Sequence, residues 1–339
     1  MARSRKRYDI YSQPGLFDFD DRPTPDGAEW KPGDVVAGGG LFDLGATEES
    51  PLPEMVKPED TALRFMSFGS GSSGNAAYIG TDKFGILIDA GVDPVKIEEQ
   101  LLRNGINMIQ VVGVLLTHDH SDHMGYAYKL LRNNRHMALF CTPRTLNGLL
   151  RRHGISRRVK DYHKPIYKEM PFTVKDFSIT PFEVSHDGSD NVGYFIEYRH
   201  HRFVVGTDMG FIAERADHYM RRATTLMIES DYDADMLTRG RYPEYLKSRI
   251  RAEKGHLDNA QVAEFLRSAW SPAMTHVFLC HLSKDNNTPE TAGDSARQAL
   301  MEAGAQKVGH GSETIDERDA PVQLYALPRF DPSPFFLIR

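Results

Sequence analysis

The sequence lacks the features that mark membrane proteins and disulfide-stabilised secreted proteins. It contains two cysteines in 339 residues, Cys141 and Cys280, which are too few for a disulfide framework. Both fall within separate apolar runs, where we expect them to be buried. No apolar run approaches the roughly 18 residues of a transmembrane helix, and no apolar segment follows the basic N-terminus as in a secretory signal. We therefore expect a cytoplasmic protein with no membrane partner.

The sequence also has no excess of basic over acidic residues. The formal net charge is −6, and residues 1–60 account for all of it with 7 Lys or Arg against 13 Asp or Glu. The remaining residues carry 34 charges of each sign, so the overall charge neither indicates nor excludes a nucleic-acid partner.

Composition divides the chain into three parts. Residues 1–60 are acidic, rich in proline and glycine, and without helical or strand periodicity, so we expect a disordered N-terminal tail. Residues 61–327 have the apolar content of a folded domain. Residues 328–339 contain several prolines and are expected to form an extended C-terminal tail.

One short motif stands out in the N-terminal tail. Gln13-Pro-Gly-Leu-Phe17 resembles the Gln-x-x-Leu-Phe peptide with which bacterial replication and repair proteins dock on the sliding clamp. A solvated tail with a few apolar residues is the simpler alternative, because so short a motif also arises by chance. Both interpretations stay open.

The most informative stretch is the apolar run Val111–Leu116 and the cluster that follows it, with the spacing His-x-His-x-Asp-His. The imidazoles of His118 and His120, two residues apart after a strand, leave on the same side and can reach one cation. The side chains of Asp122 and His123 are expected to point the other way, towards a second cation. Imidazole and carboxylate suit Zn²⁺, Mn²⁺ or Fe²⁺, so we predict a metal site rather than a chance cluster in a polar loop.

The periodicity of apolar residues predicts an α+β domain. Strands are expected near residues 64–68, 75–79, 85–89, 111–116, 137–141, 172–177, 182–184, 192–198 and 203–205. Helices are expected to begin at Asp93-Pro94, Met124, Thr145, Asp258 and Thr288-Pro289. A hairpin turn with exposed histidines is expected at residues 199–202.

Two further stretches are candidates for phosphate binding. The first is the basic run between residues 151 and 168, which includes Arg157, Arg158 and Lys160. The second is the loop Gly69–Asn75, whose backbone N–H groups and polar side chains suit a terminal phosphate: Ser70, Ser72, Ser73 and Asn75. A solvated charged face and a tight glycine turn are the respective alternatives.

Four more polar residues follow apolar runs: Asp89, His186, Asp208 and His281. With the histidine cluster, and in this order, they make the chain resemble the metallo-β-lactamase fold over about Leu63 to Leu327. The resemblance implies a single-domain αββα sandwich whose strand ends carry two divalent metal ions, Zn²⁺ or Mn²⁺.

The resemblance also implies a role for each residue. One metal would be held by His118, His120 and His186, and the other by Asp122, His123 and His281. Asp208 would bridge the two metals, and Asp89 would orient a ligand imidazole. An aspartate at the bridging position is typical of the hydrolase and phosphodiesterase branches of the family.

Only 72 residues separate Asp208 from His281, too few for the β-CASP domain that ribonuclease J and Artemis-like nucleases insert there. The chain is similar to the YycJ/WalJ-type group, regarded as 5′→3′ DNA exonucleases. Four stretches carry this similarity: residues 69–75, 229–233, 254–259 and 281–289. The long N-terminal tail and Asp258, where a serine is expected, depart from the group.

The resemblance implies a hydroxide shared between two metals about 3.5–4 Å apart, which would attack the phosphodiester in line. By similarity to ribonuclease Z, His256 would donate a proton to the leaving oxygen, and Glu229 would orient His256. Asp122 and Asp208 complete the expected catalytic set. The alternative for His256 is a structural role in the loop before the Asp258 helix.

Three functions remain in competition. The first is a metal-dependent DNA exonuclease acting from a 5′ end. The second is hydrolysis of a small phosphodiester or thioester or the processing of RNA, because the fold supports these reactions too. The third is a non-catalytic partner that has kept the fold, which the intact ligand set opposes.

Overall fold

The computed structural model describes residues 61–310 and 320–339. The expected N-terminal tail and the Gln13–Phe17 motif lie outside the described residues. Docking on a sliding clamp therefore stays a prediction from the sequence.

A seven-stranded sheet forms one half of the part of the chain that the structure describes. Its strands are β1 (Leu63–Gly69), β2 (Ala76–Gly80), β3 (Gly85–Ile88), β4 (Val111–Leu115), β5 (Ala138–Cys141), β6 (His163–Pro165) and β15 (Phe336–Ile338). Their order across the sheet is β15-β1-β2-β3-β4-β5-β6. Strands β3 to β6 run parallel, whereas β15, β1, β2 and β3 pair antiparallel.

An eight-stranded sheet forms the other half of the described residues. Its strands are β7 (Phe172–Val174), β8 (Phe177–Glu183), β9 (Val192–Tyr198), β10 (His201–Gly206), β11 (Thr225–Glu229), β12 (His276–Cys280), β13 (Val308–Gly309) and β14 (Val322–Ala326). Their order is β13-β14-β12-β11-β10-β9-β8-β7, and β10, β11, β12 and β14 run parallel to one another.

The described residues form nine α-helices, six of which cover the outer faces of the two sheets. They are α1 (Pro94–Arg103), α2 (Ser121–Met124), α3 (Ala127–Asn133), α4 (Pro143–Arg152), α5 (Glu214–Met220), α6 (Ala234–Arg239), α7 (Glu244–Ile250), α8 (Asn259–Ala269) and α9 (Pro289–Glu302). Helices α1, α3 and α4 pack on the first sheet, and α5, α8 and α9 on the second. The expected αββα sandwich is confirmed. Within the described ranges, no helix has the length and apolarity to cross a membrane.

The two sheets pack face to face around an aromatic core. Phe65 of β1 contacts Phe278 of β12 and Phe203 of β10, with ring centroids 4.4 and 5.2 Å apart. Strand β10 shows why the sheets are buried on both sides: Phe203 and Val205 point between the sheets, and Val204 points into the helix layer. The cysteines are buried as expected. Side chains from strands that are far apart in the sequence thus form the core between the two sheets.

Two expectations about the second sheet are wrong. The strand expected at 172–177 is a hairpin, because the chain turns at Lys175 with a φ of 53° and Val174 pairs with Phe177. The turn expected at 199–202 is shorter, and His201 already belongs to β10. His201 is buried and its Nε2 lies 2.9 Å from the Thr61 carbonyl oxygen, so it is not exposed.

The C-terminal segment is extended, but it belongs to the folded domain. Residues 336–338 form β15, which pairs antiparallel with β1 at the edge of the first sheet. Phe336 is buried between Phe65 and Phe278. Ser333 donates its backbone N–H to the Ser67 carbonyl and accepts the Ser67 N–H on its hydroxyl. The expectation of a separate tail at 328–339 is therefore wrong. The apolar side chains near the end of this segment complete the core.

Candidate metal centre and active site

The expected site residues converge because they follow strands that end at the same edge. Asp89 follows β3 and the histidine cluster follows β4, which is the parallel neighbour of β3. In the second sheet, Asp208 follows β10, Glu229 ends β11 and His281 follows β12, and these three strands are parallel neighbours. The carboxyl ends of parallel strands meet at one edge, which is where open α/β sheets carry their ligand sites.

Three of these residues have strained backbones. The φ angles of Asp89, Asp208 and His281 are 60°, 54° and 55°. Such angles cost a non-glycine residue about 1–3 kcal/mol and concentrate at functional sites. Each residue turns sharply after its strand, which directs its side chain into the cleft between the sheets.

The first group of possible metal ligands consists of His118, His120 and His186. One ring nitrogen from each lies within 4.8 Å of the other two. The Nδ1 atom of His120 is 3.2 Å from Nε2 of His186. His186 donates from Nδ1 to the Gly255 carbonyl at 3.1 Å, so its Nε2 lone pair faces the group.

The second group consists of Asp122, His123 and His281, whose ligand atoms also lie within 4.8 Å of one another. Nε2 of His123 lies 3.5 Å from Asp122 Oδ2, and Nε2 of His281 lies 3.6 Å from the same oxygen. The arrangement offers two imidazoles and one carboxylate to a single cation.

Asp208 lies between the two groups. Its Oδ2 is 3.2 Å from Nε2 of His123, whereas its Oδ1 is 3.7 Å from Nε2 of His186 and 3.6 Å from Nε2 of His281. Thr207 donates its hydroxyl to Oδ2 at 2.8 Å and holds the carboxylate in this position. A carboxylate so placed can contact a cation in each group.

The chemistry of these residues fits divalent metal ions. Nε2 of His118 and both ring nitrogens of His281 are buried with no hydrogen-bond partner among the described residues. Buried polar atoms are rarely left without a partner, and a metal ion would satisfy Nε2 of both residues. The mixture of imidazole and carboxylate is the ligand type of Zn²⁺ and Mn²⁺ sites.

Asp89 orients one of the possible ligands. Its Oδ2 accepts a hydrogen bond from Nδ1 of His123 at 2.7 Å, which leaves Nε2 of His123 to face Asp208. The Thr117 backbone N–H and hydroxyl both donate to Asp89, and Thr117 Oγ1 lies 3.0 Å from Nδ1 of His118. Such outer hydrogen bonds fix the tautomer and orientation of a metal-binding imidazole.

Asp187 lies against His120 as a charge contact, which the sequence did not predict. Its Oδ1 is 3.1 Å from Nε2 of His120, so Nδ1 of His120 faces His186. Arg249 in α7 donates to the other oxygen, Oδ2, from Nε at 3.0 Å and from Nη2 at 2.8 Å. The one available signal was the position of Asp187 directly after His186.

Glu229 and His256 form a close pair beside Asp208. Nδ1 of His256 donates to Oε1 of Glu229 at 2.6 Å, and it lies 3.8 Å from Oδ1 of Asp208. Glu229 is fully buried, and its Oε2 accepts the backbone N–H of Met209 at 2.7 Å. The His256 ring stacks on that of His281, with centroids 5.2 Å apart. The pair expected from the sequence therefore adjoins both ligand groups.

Burial and charge act in opposite directions on these side chains. Burial alone would raise the pKa of Asp208, but the neighbouring His281 and His123 hold the pKa of this carboxyl well below its usual range. Burial lowers the pKa of His118 well below its usual range, which keeps its imidazole neutral. Burial would lower the pKa of His256, but the Glu229 carboxylate more than offsets it and raises that pKa to about 9.

A cavity of about 220 Å³ opens beside this pair, and we call it the first cavity. Its lining residues include His186, His256 and His281 from the site, Tyr242 and Arg249 at α7, and Lys254 and Ser72. A reacting group in the first cavity would therefore contact the ligand groups on one side and basic side chains on the other.

The polar side chains of the Gly69–Asn75 loop fall into two sets: two are buried against the site, and two line cavities. Ser70 is buried, and its hydroxyl accepts the backbone N–H of His281 at 2.9 Å, so it supports the site from within. Asn75 is also buried. Its side-chain amide forms two hydrogen bonds with the backbone of Gly71, and its Nδ2 lies 3.3 Å from Asp122 Oδ2. Ser72 lines the first cavity, and Ser73 lies on the opposite side of the loop.

Three basic residues and one aspartate lie apart from the candidate ligands. Arg157, Arg158 and Lys160, which the sequence offered for phosphate binding, are exposed on the 3₁₀-helix Arg157–Tyr162 and do not line the first cavity. Asp119, inside the histidine cluster, turns away from the cluster and accepts the backbone N–H of Ser189 at 2.7 Å and its hydroxyl at 2.6 Å.

Comparison with known proteins agrees with the fold. The profile of the Beta-lactamase superfamily domain matches residues 85–281. The chain is 31% identical to Exodeoxyribonuclease YycJ of Bacillus anthracis over 242 residues, which is 71% of this chain and 90% of that protein. It is 30% identical to Exodeoxyribonuclease WalJ of Streptococcus pneumoniae over 245 residues, or 72% of this chain and 90% of that protein.

A solved structure shares the fold at low sequence identity. The metallo-β-lactamase fold protein YhfI from Bacillus subtilis is 13% identical, with a TM-score of 0.59 over 81% of this chain and 99% of that chain. This likeness concerns the fold alone. The fold, the ligand-bearing strand ends and the two exodeoxyribonucleases together show that the chain belongs to the metallo-β-lactamase-fold hydrolases, in the group that includes YycJ and WalJ.

Proposed function

We propose that the protein is a dinuclear metal-dependent phosphodiesterase that degrades DNA from its 5′ end. The observation that carries the proposal is the position of Asp208 between two ligand groups, with the hydrogen-bonded Glu229–His256 pair beside it. The similarity to two exodeoxyribonucleases supports DNA as the substrate.

In this proposal each ligand group holds one divalent ion. His118, His120 and His186 would hold the first ion, Asp122, His123 and His281 would hold the second, and Asp208 would be available to both. When bound, such ions polarise the phosphoryl group and supply an activated water as the nucleophile. The protein's part is to hold the ligand imidazoles in one orientation, which Asp89 does for His123.

His256 supplies the proton that the leaving oxygen needs. Its Nδ1 is occupied by Glu229, so the proton on its other ring nitrogen, Nε2, is available to a substrate. Its ring lines the first cavity, within reach of a group bound there. Glu229 keeps the imidazole in the required tautomer and favours its protonated form.

The first cavity supports attack on a chain end. With about 220 Å³ it has room for a terminal phosphate and part of its nucleotide. Lys254 in its lining provides a cation for the phosphate charge, whereas the Arg249 guanidinium is paired with Asp187. The 5′→3′ direction follows from the resemblance to the YycJ/WalJ-type group.

The test is incubation of the metal-loaded protein with labelled 5′-phosphorylated duplex DNA, RNA and bis-p-nitrophenyl phosphate. We expect stepwise loss of nucleotides from the 5′ end of DNA and none with an Asp208→Ala control. Cleavage of RNA in preference to DNA would identify an RNA-processing nuclease. Turnover of the small diester alone would instead identify a hydrolase of small esters and overturn the proposal.

A further inference from the structure

A second cavity, of about 160 Å³, lies on the other side of the Gly69–Asn75 loop. Ser72 lines the first cavity, and the next residue, Ser73, lines the second. The loop also contacts the metal centre, because the Asn75 amide lies 3.3 Å from Asp122 Oδ2. A linear ligand that lies across Ser72 and Ser73 would therefore reach both cavities.

The second cavity has two cations whose partners are neutral. Lys96 Nζ donates to the Phe330 carbonyl oxygen. The Arg329 guanidinium donates to the Leu282 carbonyl oxygen and to the Ser72 hydroxyl, and its Nε is buried without a partner among the described residues. Carbonyl and hydroxyl oxygens satisfy these donors but leave their positive charge uncompensated.

The acidic residue in the lining does not cancel this charge. Asp93 accepts from Lys129 Nζ on both carboxylate oxygens, at 3.1 and 3.2 Å. Asp93 and Lys129 thus neutralise each other, and the charges of Lys96 and Arg329 remain. The second cavity is therefore suited to an anion such as a phosphodiester.

Two aromatic rings line the second cavity. Phe330 lines the second cavity and is 53% exposed, and the Arg329 guanidinium lies 5.4 Å from its ring centroid. Tyr126 also lines the cavity, with Lys129 Nζ 5.5 Å from its ring centroid. Cations that follow a backbone, next to exposed rings on which bases stack, are the usual features of single-strand nucleic-acid sites.

We propose that the second cavity binds the sugar-phosphate unit next to the scissile phosphate in an unpaired DNA strand, with its base against Phe330. The inference rests on the proposed nuclease function. It assigns a substrate role to Arg329 and Phe330, which belong to the C-terminal segment, and to Lys96 at the start of α1.

Phe330→Ala and Lys96→Gln test the inference in the full-length, metal-loaded protein. The ligand is a 12-nucleotide single strand with a phosphorothioate backbone that resists cleavage and a fluorophore at its 3′ end. We expect each variant to raise the Kd by about 5- to 10-fold, and Lys96→Gln to lower the salt dependence by about one phosphate contact. Turnover of bis-p-nitrophenyl phosphate should stay within about twofold of wild type, because that diester is too short to span both cavities.

Matched controls are Met301→Ala, an exposed apolar residue on α9, and Lys83→Gln, an exposed lysine at the opposite end of β3. Both should bind the strand as wild type does. If wild type binds and degrades DNA but Phe330→Ala and Lys96→Gln bind it with unchanged Kd, the inference fails and the proposed function stands. If wild type does not bind the strand at all, both fail.

Discussion

Asp187 contacts His120 on one side and Arg249 on the other. Its Oδ1 lies 3.1 Å from Nε2 of His120, and its Oδ2 accepts two hydrogen bonds from the Arg249 guanidinium. Helix α7 is thereby linked to the first ligand group through one carboxylate. Because Arg249 also lines the first cavity, the wall of that cavity and the surroundings of the His120 imidazole share the same carboxylate.

Removing this contact should weaken metal binding. Asp187→Asn is expected to lower the affinity for the first metal by about 10- to 100-fold, because His120 loses the carboxylate charge that lies 3.1 Å from its Nε2. Calorimetric titration of the metal-free protein with Zn²⁺ measures the effect. Asp176→Asn in the exposed β7–β8 turn is the matched control and should bind as wild type does. Equal affinities in all three proteins would show that the Asp187 charge does not contribute to metal binding.

The role of His256 as a proton donor predicts a dependence on the leaving group. His256→Ala should reduce kcat on DNA by about 10²- to 10⁴-fold while leaving the bound metal content unchanged. On bis-p-nitrophenyl phosphate the loss should be much smaller, because p-nitrophenolate leaves without a proton. His153→Ala, at an exposed position, serves as control. An equal loss on both substrates would assign His256 a structural role instead.

The end of the C-terminal segment should contribute to stability. Phe336 is buried between the sheets, 4.9 Å from the Phe278 ring centroid, so Phe336→Ala is expected to lower the free energy of unfolding by about 3 kcal/mol. Its neighbour Leu337 points outwards and is 38% exposed, so Leu337→Ala should cost less than about 1 kcal/mol. Urea unfolding monitored by circular dichroism compares the two. A similar loss in the free energy of unfolding for Phe336→Ala and Leu337→Ala would mean that β15 does not complete the core.

Two histidines away from the metal centre, the buried His201 and the half-buried His276, should make stability depend on pH. Burial first, and then the charge of His200, lowers the pKa of His201 to about 4. Burial, and then the charge of His201, lowers the pKa of His276 to about 4. In the unfolded chain both histidines titrate near 6.5. The unfolded state therefore takes up protons first as the pH falls from about 6.5 to about 4, and stability present above pH 6.5 is lost through that window.

Comparison of wild type with a His201→Gln, His276→Gln double variant tests this relationship. Between pH 7 and pH 5 the wild type should lose about 4 kcal/mol more of its free energy of unfolding than the double variant does, or about 2 kcal/mol for each histidine. Titration of the metal-centre residues contributes equally to both proteins and cancels in the difference. His136→Gln is the control. An unchanged pH dependence in the double variant would contradict the prediction.

Local sequence patterns were sufficient for the central elements of the fold. The apolar run before His118 predicts β4, and the Asp93-Pro94 pair predicts the start of α1, where Asp93 indeed accepts the N–H of Val95. Patterns of this kind depend on near neighbours, so they can be read without knowing the fold. The hairpin at Lys175 could not be predicted in this way, because its turn residues carry no glycine or asparagine signal.

The sequence by itself determined which candidate ligands the chain carries and their order, because the spacing from His118 to His123 and the polar residues after later strands predict a metal site. Only the tertiary structure decided which atoms meet. Asp187 contacts His120, Ser70 supports His281 from within, and the end of the chain adds β15 to the first sheet. These contacts join residues from 67 to 275 positions apart, and pairing over such distances leaves no local periodicity in the sequence.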